Sequence, residues 1–337
     1  MTAKKVIHYL WITPTLGWRF DDRGGSTVPM DNNVILASDF RRLGVTSDEV
    51  ARMVRRGELI RLRRGAYLRA SGVADAADPW ALRTRHLQLI DGTMPQLHPR
   101  AALSHGSAAA LHQLPLFPAM TETVHVTRDR RGGGVIRPAL RVHGSPLRDL
   151  DRGLVDGHPV TSLARTVVDL ARTASYEQAV AVADGGLALG ADVGELAESV
   201  EQARSWLGAP QARRVLAFAD GRSESVGESF SRVRIQQMPV PAPTLQYEVL
   251  DQDGRVVGRC DFGWLERRTV GEFDGKVKYG RFLRPGETIA EAVIREKLRE
   301  DAIRDQGWQV VRWTWDDLWT PEVIEDRILR AFDRARR

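Results

Sequence analysis

Asp261-Phe262-Gly263-Trp264, followed by Glu272-Phe273-Asp274-Gly275-Lys276, is the most informative segment of the sequence. Carboxylates stand at the ends of two short apolar runs, and a lysine follows the last of them. In strand geometry, positions 272, 274 and 276 lie on one face. Acids gathered on one face are unfavourable unless a partner neutralises them, and a divalent metal is a common solution. A metal held by two carboxylates beside a basic group is the chemistry of phosphodiester hydrolysis.

Patterns on both sides of this stretch predict an ordered series of elements. A helix begins after a serine cap and carries Glu228, and a later helix carries Lys297. Apolar runs of strand length stand between these helices and after the second one. The predicted order is therefore helix, strand, strand, strand, helix, strand. The elements are the helix 223–234, the strands 246–250, 256–262 and 269–273, the helix 290–305 and the strand 307–315.

This order and its motifs resemble the core of the PD-(D/E)xK nucleases, in the branch related to very-short-patch repair endonucleases. The resemblance covers about residues 222–320. Its motifs are specific when taken together, whereas each alone is a weak signal. They are Glu228, the turn Pro239-Val240-Pro241, Arg259-Cys260-Asp261-Phe262, Glu272-Phe273-Asp274-Gly275 and residues 307–312.

The resemblance implies a metal site for DNA cleavage. It implies that Asp261 and Glu272 hold a Mg²⁺ or Mn²⁺ ion, and that Glu228 reaches the same pocket from the first helix. The restriction-endonuclease-like α/β domain would then be a magnesium-dependent DNA endonuclease.

One position departs from the pattern of that family. Asp274 stands where the usual lysine is found, so Lys276 and Lys297 become the candidates for supporting the attacking water. Other interpretations stay open. The acids would form salt bridges with neighbouring arginines on an inert sheet, the nuclease fold would be degenerate, or the fold would be unrelated.

The composition limits the number of domains and the class of protein. The 337 residues suggest two or three domains, with 42% hydrophobic and 28% charged residues, as in ordinary globular proteins. A net charge of +5 and a pI near 9.6 are compatible with a nucleic-acid partner. The single Cys260 excludes an intrachain disulfide and fits a reducing cytoplasm, and the sequence predicts no membrane span. We expect residues 1–32 to be a poorly ordered extension, with Met30 as a possible true start.

Residues 33–70 read as a winged helix-turn-helix. An apolar run precedes a short helix that ends at Gly44. Residues 46–49 form a capping box, which predicts a second helix that stops at Gly57. Residues 59–68 then predict a hairpin that turns near Arg64 and Gly65. Helix, tight turn, helix and hairpin is the winged-helix plan.

The charge of this module supports binding to DNA. Residues 33–70 hold nine arginines and four acids, a surplus equal to the net charge of the whole chain. Arginine suits phosphate oxygens and guanine edges, although a basic face on a protein-interaction domain is the alternative. The predicted DNA-binding residues are Arg52, Arg55 and Arg56 on the second helix and Arg61, Arg63 and Arg64 on the wing.

The segment 57–67 resembles the winged-helix domain of AbiEi-family antitoxins, the transcriptional autoregulators of type IV toxin–antitoxin pairs. Segments at 102–114 and 160–170 also resemble that family, so the resemblance runs over roughly 33–175. It implies DNA as a partner, and a cognate toxin-like protein as a further one.

The middle of the chain carries weaker signals. His98, His105 and His112 recur every seven residues, yet without a carboxylate or cysteine they predict packing or surface roles rather than a metal site. Thr161 is expected to cap a helix with Arg165 and Asp169 on its surface. Residues 175–219 predict two or three packed helices, broken at residues 185–186 and 208–210.

The sequence therefore predicts an α+β multidomain protein of the cytoplasm. Its regions are an extension (1–32), a winged helix-turn-helix (33–70), a mixed α/β AbiEi-like and helical middle (71–220) and the endonuclease-like domain (221–337). We expect a DNA-binding protein with a Mg²⁺-dependent endonuclease domain, in a toxin–antitoxin or phage-defence setting. The alternative is a non-catalytic repressor or antitoxin-like regulator. A homodimer is possible, and no membrane association is expected.

Overall fold

The structure, a computed structural model, describes residues 34–75, 78, 80–130, 133–275 and 288–336. The expected extension at 1–32 and the candidate Lys276 lie outside these residues. The described chain divides into two compact units. The first contains residues 34–174 and 191–216, and the second contains residues 175–190 and 217–336.

The first unit opens with two helices and a small sheet in the arrangement of a winged helix. Its elements are β1 (Val34–Leu36), α1 (Ala37–Arg42), α2 (Ser47–Arg55), β2 (Leu59–Arg63) and β3 (Ala66–Arg69). The sheet is antiparallel with the order β1-β3-β2. The hairpin turns at Arg64 and Gly65, where Gly65 has a φ of +80° that a residue without Cβ adopts readily. The predicted helices and hairpin are confirmed.

Local hydrogen bonds fix the start of α2. The N–H of Glu49 donates to the Thr46 hydroxyl at 3.3 Å, and the N–H of Thr46 donates to the Glu49 carboxylate at 2.8 Å. Such a cap stabilises a helix by about 0.5–2 kcal/mol because it satisfies otherwise unpaired backbone donors. The apolar side of α2 packs into a core that contains Phe40, Val50 and Leu59.

The rest of the first unit is built on a six-stranded sheet. Its strands are β4 (Ala101–Leu103), β5 (Val124–Arg128), β6 (Val135–Arg137), β7 (Leu140–Gly144), β8 (Arg152–Val155) and β9 (His158–Thr161). The order is β6-β7-β5-β4-β9-β8, with parallel pairing at β5–β7 and β4–β9. The parallel β5–β7 pair places Thr127 opposite His143.

The helices between residues 81 and 218 follow in chain order. They are α3 (Ala81–Asp91), α4 (His105–Leu111), α5 (Pro118–Thr121), α6 (Leu163–Thr173), α7 (Tyr176–Ala188), α8 (Val193–Gln202) and α9 (Ala209–Phe218). Of these, α7 belongs to the second unit. Ile90 of α3 packs with Leu103, Val124 and Val160 of the sheet in one core. A Cβ on Gly106 would lie 2.0 Å from the backbone oxygen of Met120, so α4 approaches this segment backbone to backbone.

One predicted helix cap, Thr161, is wrong, whereas Ser104 is the N-cap residue of α4. The Ser104 hydroxyl lies 3.1 Å from Nδ1 of His105 and makes no capping bond. Thr161 is the last residue of β9, and the cap of α6 is Ser162, whose hydroxyl accepts from the Arg165 N–H at 3.3 Å. In both places a strand ends immediately before the helix, which the sequence pattern did not reveal.

The second unit contains a four-stranded sheet with helices. Besides α7 its elements are α10 (Val226–Gln236), β10 (Thr244–Leu250), β11 (Val256–Trp264), β12 (Thr269–Phe273), α11 (Ile289–Asp305), β13 (Gln309–Trp313), α12 (Trp315–Leu318) and α13 (Pro321–Ala335). The sheet order is β10-β11-β12-β13; the first three strands are antiparallel, and β13 runs parallel to β12. The predicted order of helix, three strands, helix and strand is confirmed for the described residues.

Packing in the second unit corrects one further prediction. Residues 185–186 do not break a helix, because α7 continues through both glycines, which are buried, to Ala188. Packing thus outweighs the weak helix propensity of glycine. The core beside the sheet includes Val249, Cys260, Val270 and Ile303, and the Cys260 thiol is buried. No helix within the described ranges is long and apolar enough to cross a membrane.

Candidate functional site

The helix α2 presents a row of exposed arginines. Arg52, Arg55 and Arg56 are exposed on the side opposite its buried Val50. Arg52 lies 3.9 Å from Glu49 and Arg56 lies 3.8 Å from Glu58, and all four of these side chains are about half exposed or more. Exposed ion pairs of this kind contribute little, so these guanidinium groups exchange readily to phosphate oxygens.

The wing presents its arginines unequally. Arg61 and Arg64 are exposed, whereas Arg63 is partly buried. An irregularity in the β2–β3 pairing between Arg61 and Arg63 accounts for the difference. Burial lowers the pKa of Arg63, and its buried Nη1 atom has no hydrogen-bond partner in the described part of the chain. The outer surface of the wing is therefore carried mainly by Arg61 and Arg64.

In the second unit, Glu228 is a buried acid at the start of α10. Its carboxylate accepts from the Ser225 hydroxyl at 2.7 Å, from the Glu224 N–H at 2.9 Å and from the Gln246 amide at 2.8 Å. Burial, together with the negative charge of Asp261, raises the pKa of Glu228 to about 8. The negative charge of Asp261 therefore acts on the Glu228 carboxyl, and burial favours the neutral form of that carboxyl.

Asp261 lies where the pairing of β11 and β12 ends. Phe262 and Gly271 form the last backbone pair toward this end, and the Asp261 carboxylate accepts from the Phe273 N–H at 2.8 Å. The side chain thereby satisfies a backbone donor at the end of the β11–β12 ladder. A Cβ on Gly227 would lie 2.0 Å from the Phe273 ring, so α10 packs tightly against this end of β12.

Glu272 belongs to a network of ion pairs. One carboxylate oxygen lies 2.5 Å from Arg299 and the other lies 3.0 Å from Arg312, and the Glu272 side chain is 8% exposed. Glu296 contacts both arginines, at 2.5 and 2.6 Å, and Glu300 lies 3.1 Å from Arg312. Both oxygens of Glu272 are therefore engaged by guanidinium groups, as in the salt-bridge alternative that the sequence left open.

The remaining candidates lie apart from this network. The N–H of Asp274 donates to the backbone oxygen of Trp313 at 2.7 Å, so this residue follows β12 along β13. Lys297 is exposed on α11, and Arg299, two positions later, is the residue that reaches Glu272. The three carboxylates Glu228, Asp261 and Glu272 do not converge within 4.8 Å, because among the described residues only a histidine group meets that condition.

The histidine spacing did not predict this group. His98 is exposed, and His112 binds the backbone oxygen of Thr161 at 2.7 Å, so the predicted surface and packing roles are confirmed for these two. His105 instead meets His125 and His143. The sequence feature that could have indicated this contact is the strand-like alternation of apolar and polar residues in β5 and β7, because each of these strands carries one histidine.

His105 and His143 line a cavity of about 430 Å³ in the first unit. Arg165 and Asp169 line it as an ion pair at 2.9 Å, and both are buried. The prediction that these two side chains lie on the surface of α6 is therefore wrong. Arg172 and Trp206 also line the cavity, and the guanidinium groups of Arg165 and Arg172 lie over the Trp206 ring at 4.7 and 4.9 Å.

Comparison with known proteins gives one family match, at the winged helix, and two relatives over a longer part of the chain. Residues 30–70 match the family model described as a transcriptional regulator, AbiEi antitoxin. Over 235 residues the chain is 32% identical to the uncharacterized protein MT2308 of Mycobacterium tuberculosis (strain CDC 1551 / Oshkosh), which covers 68% of this chain and 81% of the relative. The same identity and coverage hold for the uncharacterized protein Rv2248 of strain ATCC 25618 / H37Rv. The AbiEi match coincides with the winged helix.

Proposed function

The chain belongs to the same family as the Mycobacterium tuberculosis proteins MT2308 and Rv2248, and we propose that it is a DNA-binding transcriptional regulator of the antitoxin type. The observation that carries this proposal is the exposed arginine row of α2, within the segment that matches the AbiEi antitoxin regulators. A capped helix with arginines on its free face has the form of a recognition helix.

In the proposed interface, the helix α2 and the wing contact different parts of the DNA. The helix α2 enters the major groove, where Arg52, Arg55 and Arg56 reach base edges and flanking phosphates. Arg61 and Arg64 on the wing contact the neighbouring backbone, and Arg63 supports the wing from within. A toxin-like protein and a second copy of the chain stay proposed partners.

Fluorescence anisotropy with the DNA upstream of the chain's own gene tests this proposal. We expect Arg55→Ala to weaken binding at least tenfold. Arg330→Ala is the matched control, because Arg330 is an exposed arginine of α13, outside the proposed interface. Equal binding by all three proteins, or no DNA binding by the wild type, would contradict the proposal.

Magnesium-dependent DNA cleavage is a second candidate function. Its support is the buried Glu228 under the charge of the partly buried Asp261, within the helix and strand order that resembles the PD-(D/E)xK core. The donors as arranged do not fit an ion shared by Asp261 and Glu272, because Arg299 and Arg312 hold both oxygens of Glu272. We therefore rank cleavage below regulation and route no step through a metal.

Plasmid nicking distinguishes the two functions. Nicking by the wild type in Mg²⁺ or Mn²⁺, lost in Asp261→Ala with DNA binding retained, would establish the nuclease. We expect instead DNA binding without nicking, and no change of DNA affinity in Asp261→Ala.

A further inference from the structure

Three histidines of the first unit form a compact cluster, here named the histidine cluster: His105, His125 and His143. The rings of His105 and His143 are stacked, with centroids 3.8 Å apart and planes inclined by 14°. Nδ1 of His125 lies 3.1 Å from Nε2 of His143. One ring nitrogen of each histidine lies within 4.8 Å of the others.

We propose that the histidine cluster binds one divalent transition-metal ion, with Zn²⁺ as the preferred ion. Imidazole nitrogen is a ligand that Zn²⁺ favours, and three histidines leave a fourth position open. With metal–nitrogen bonds of about 2.0–2.1 Å, two ligands of a tetrahedral ion stand about 3.4 Å apart. The His125–His143 distance is already close to this value, and a ring nitrogen of His105 lies within 4.8 Å of the other two ligand atoms.

The backbone around His105 holds this residue in an unusual conformation. His105 has a φ of +50° although it is not glycine, and its side chain is buried. Residues with side chains adopt this conformation rarely, and such outliers gather at functional sites. Nδ1 of His105 lies 3.1 Å from the Ser104 hydroxyl, which leaves Nε2 as the ligand atom. A hydrogen bond on the second ring nitrogen is the usual support of a metal-bound histidine.

An unpartnered hydroxyl independently points to a ligand beside the cluster. Thr127, His105 and His143 line the same cavity. Thr127 is fully buried, and its Oγ1 has no hydrogen-bond partner among the residues the structure describes. Buried hydroxyls in folded proteins are nearly always satisfied. A metal-bound water, or an oxygen of a ligand in the cavity, would supply the partner.

The charge of the cavity wall selects the kind of fourth ligand. Arg165 and Arg172 both line the cavity, and Asp169 pairs with them at 2.9 and 3.1 Å. Among the described lining residues three are arginines, with Arg141 as the third, and one is an acid, so this wall is net positive even though Arg165 also contacts Asp151 at 3.3 Å. It disfavours a bare dication and favours an ion that carries an anionic ligand, such as hydroxide or a small carboxylate. The proposal does not depend on DNA binding or DNA cleavage.

Titration of the chelator-treated full chain tests the site, with Zn²⁺ followed by calorimetry and Co²⁺ by visible absorption. We expect one ion per chain in the wild type and at least a tenfold loss of affinity in His143→Asn. His98→Asn is the matched control, since His98 is exposed and outside the cluster, and it should bind as the wild type does. Asp261→Ala should also keep full affinity, which separates this site from the carboxylates of the second unit.

Two further measurements distinguish a lost metal site from a misfolded variant and identify the metal ligands. Circular dichroism and thermal unfolding without metal check that His143→Asn is folded. X-ray absorption on the zinc-loaded wild type needs no variant and should show three imidazoles and one light-atom ligand. A shell of oxygen alone, absence of binding, or binding that survives in His143→Asn but is lost in Asp261→Ala would each overturn the site.

Discussion

The Glu272 carboxylate lies 2.5 Å from the guanidinium of Arg299, a residue on the helix α11 that is 27 positions further along the chain. The acid that the sequence offers as a metal ligand is thus neutralised from within the protein. The acid is buried and the arginine is largely buried, so the pair is shielded from solvent. The pair therefore bears on stability as well as on the ranking of the proposed functions.

Removal of Arg299 should destabilise the second unit. We expect Arg299→Met to lower the free energy of unfolding by about 2–4 kcal/mol, because it leaves the Glu272 charge paired with Arg312 alone. Urea denaturation measures this change. The control is Arg330→Met, whose exposed pair with Asp326 should contribute at most about 0.5 kcal/mol. A double-mutant cycle with Glu272→Gln that shows no coupling would refute the interpretation.

The pKa of Glu228 should respond to Asp261. Burial and the Asp261 charge together raise the pKa of Glu228 to about 8. We expect Asp261→Asn to lower this pKa, since a like charge is removed, yet to leave it above its ordinary value, since the burial remains. Carboxyl-carbon NMR of labelled glutamate across a pH titration follows the change. An unaltered pKa would mean that the two groups are not coupled.

Acid should destabilise the first unit through His86. Burial lowers the pKa of His86 to about 4, while the ring nitrogens bind the Thr121 carbonyl and the Ser107 hydroxyl at 2.9 Å. In the unfolded chain the pKa is about 6.5, so unfolding takes up a proton below that pH. Stability is therefore lost as the pH falls from about 6.5 to about 4, by up to about 3 kcal/mol.

Denaturant unfolding at several pH values measures this loss. His86→Gln should show a shallower fall between pH 7 and pH 5 than the wild type does. The exposed His98 provides the control, and His98→Gln should follow the wild-type curve. A fall of equal steepness in all three proteins would assign the acid sensitivity to other groups.

The wing and the helix α2 should differ in their effect on DNA recognition. We expect Arg64→Ala to weaken specific and unrelated DNA alike, and to reduce the salt dependence of log K by about 0.9, as for one lost phosphate contact. Arg55→Ala should in addition change the DNA sequence that the protein prefers, because Arg55 lies on the recognition helix. Binding measured on a randomised DNA library at several salt concentrations separates the two effects. Identical sequence preferences in both variants would argue against the docking of α2 in the major groove.

Close backbone contact makes Gly106 intolerant of any side chain. We expect Gly106→Ala to destabilise the first unit by about 1–3 kcal/mol or more, since the added Cβ would meet the Met120 carbonyl at 2.0 Å. Gly133→Ala is the matched control, because a Cβ at that position would have no atom of the described residues within 4 Å. Thermal unfolding compares the two variants, and equal midpoints would show that the contact relaxes freely.

Local chemistry explains what the sequence predicted well. The capping box of Thr46 and Glu49 uses two side chains three positions apart, so it can be predicted without any knowledge of the fold. The hairpin at Arg64 and Gly65 is equally local. The strands of the second unit were predicted because their apolar runs are bounded by clear turns.

Contacts between distant segments explain what the sequence did not reveal. The placement of His125 near His143 requires the parallel pairing of β5 with β7. The buried pair of Arg165 and Asp169 has the spacing of a surface pair on a helix, and only the loops around it show that it is enclosed. The partners of Glu272, Arg299 and Arg312, come from a helix and a strand whose register the sequence does not specify.

The buried Cys260 has a practical consequence for work in solution. It is the single thiol of the chain, and burial, together with the nearby charge of Glu272, raises its pKa. A protonated, enclosed thiol reacts slowly with maleimides. Arg330→Cys, at an exposed position of α13 outside the proposed interface, would therefore accept a fluorophore selectively, so that the arrival of single molecules on DNA and their departure could be recorded.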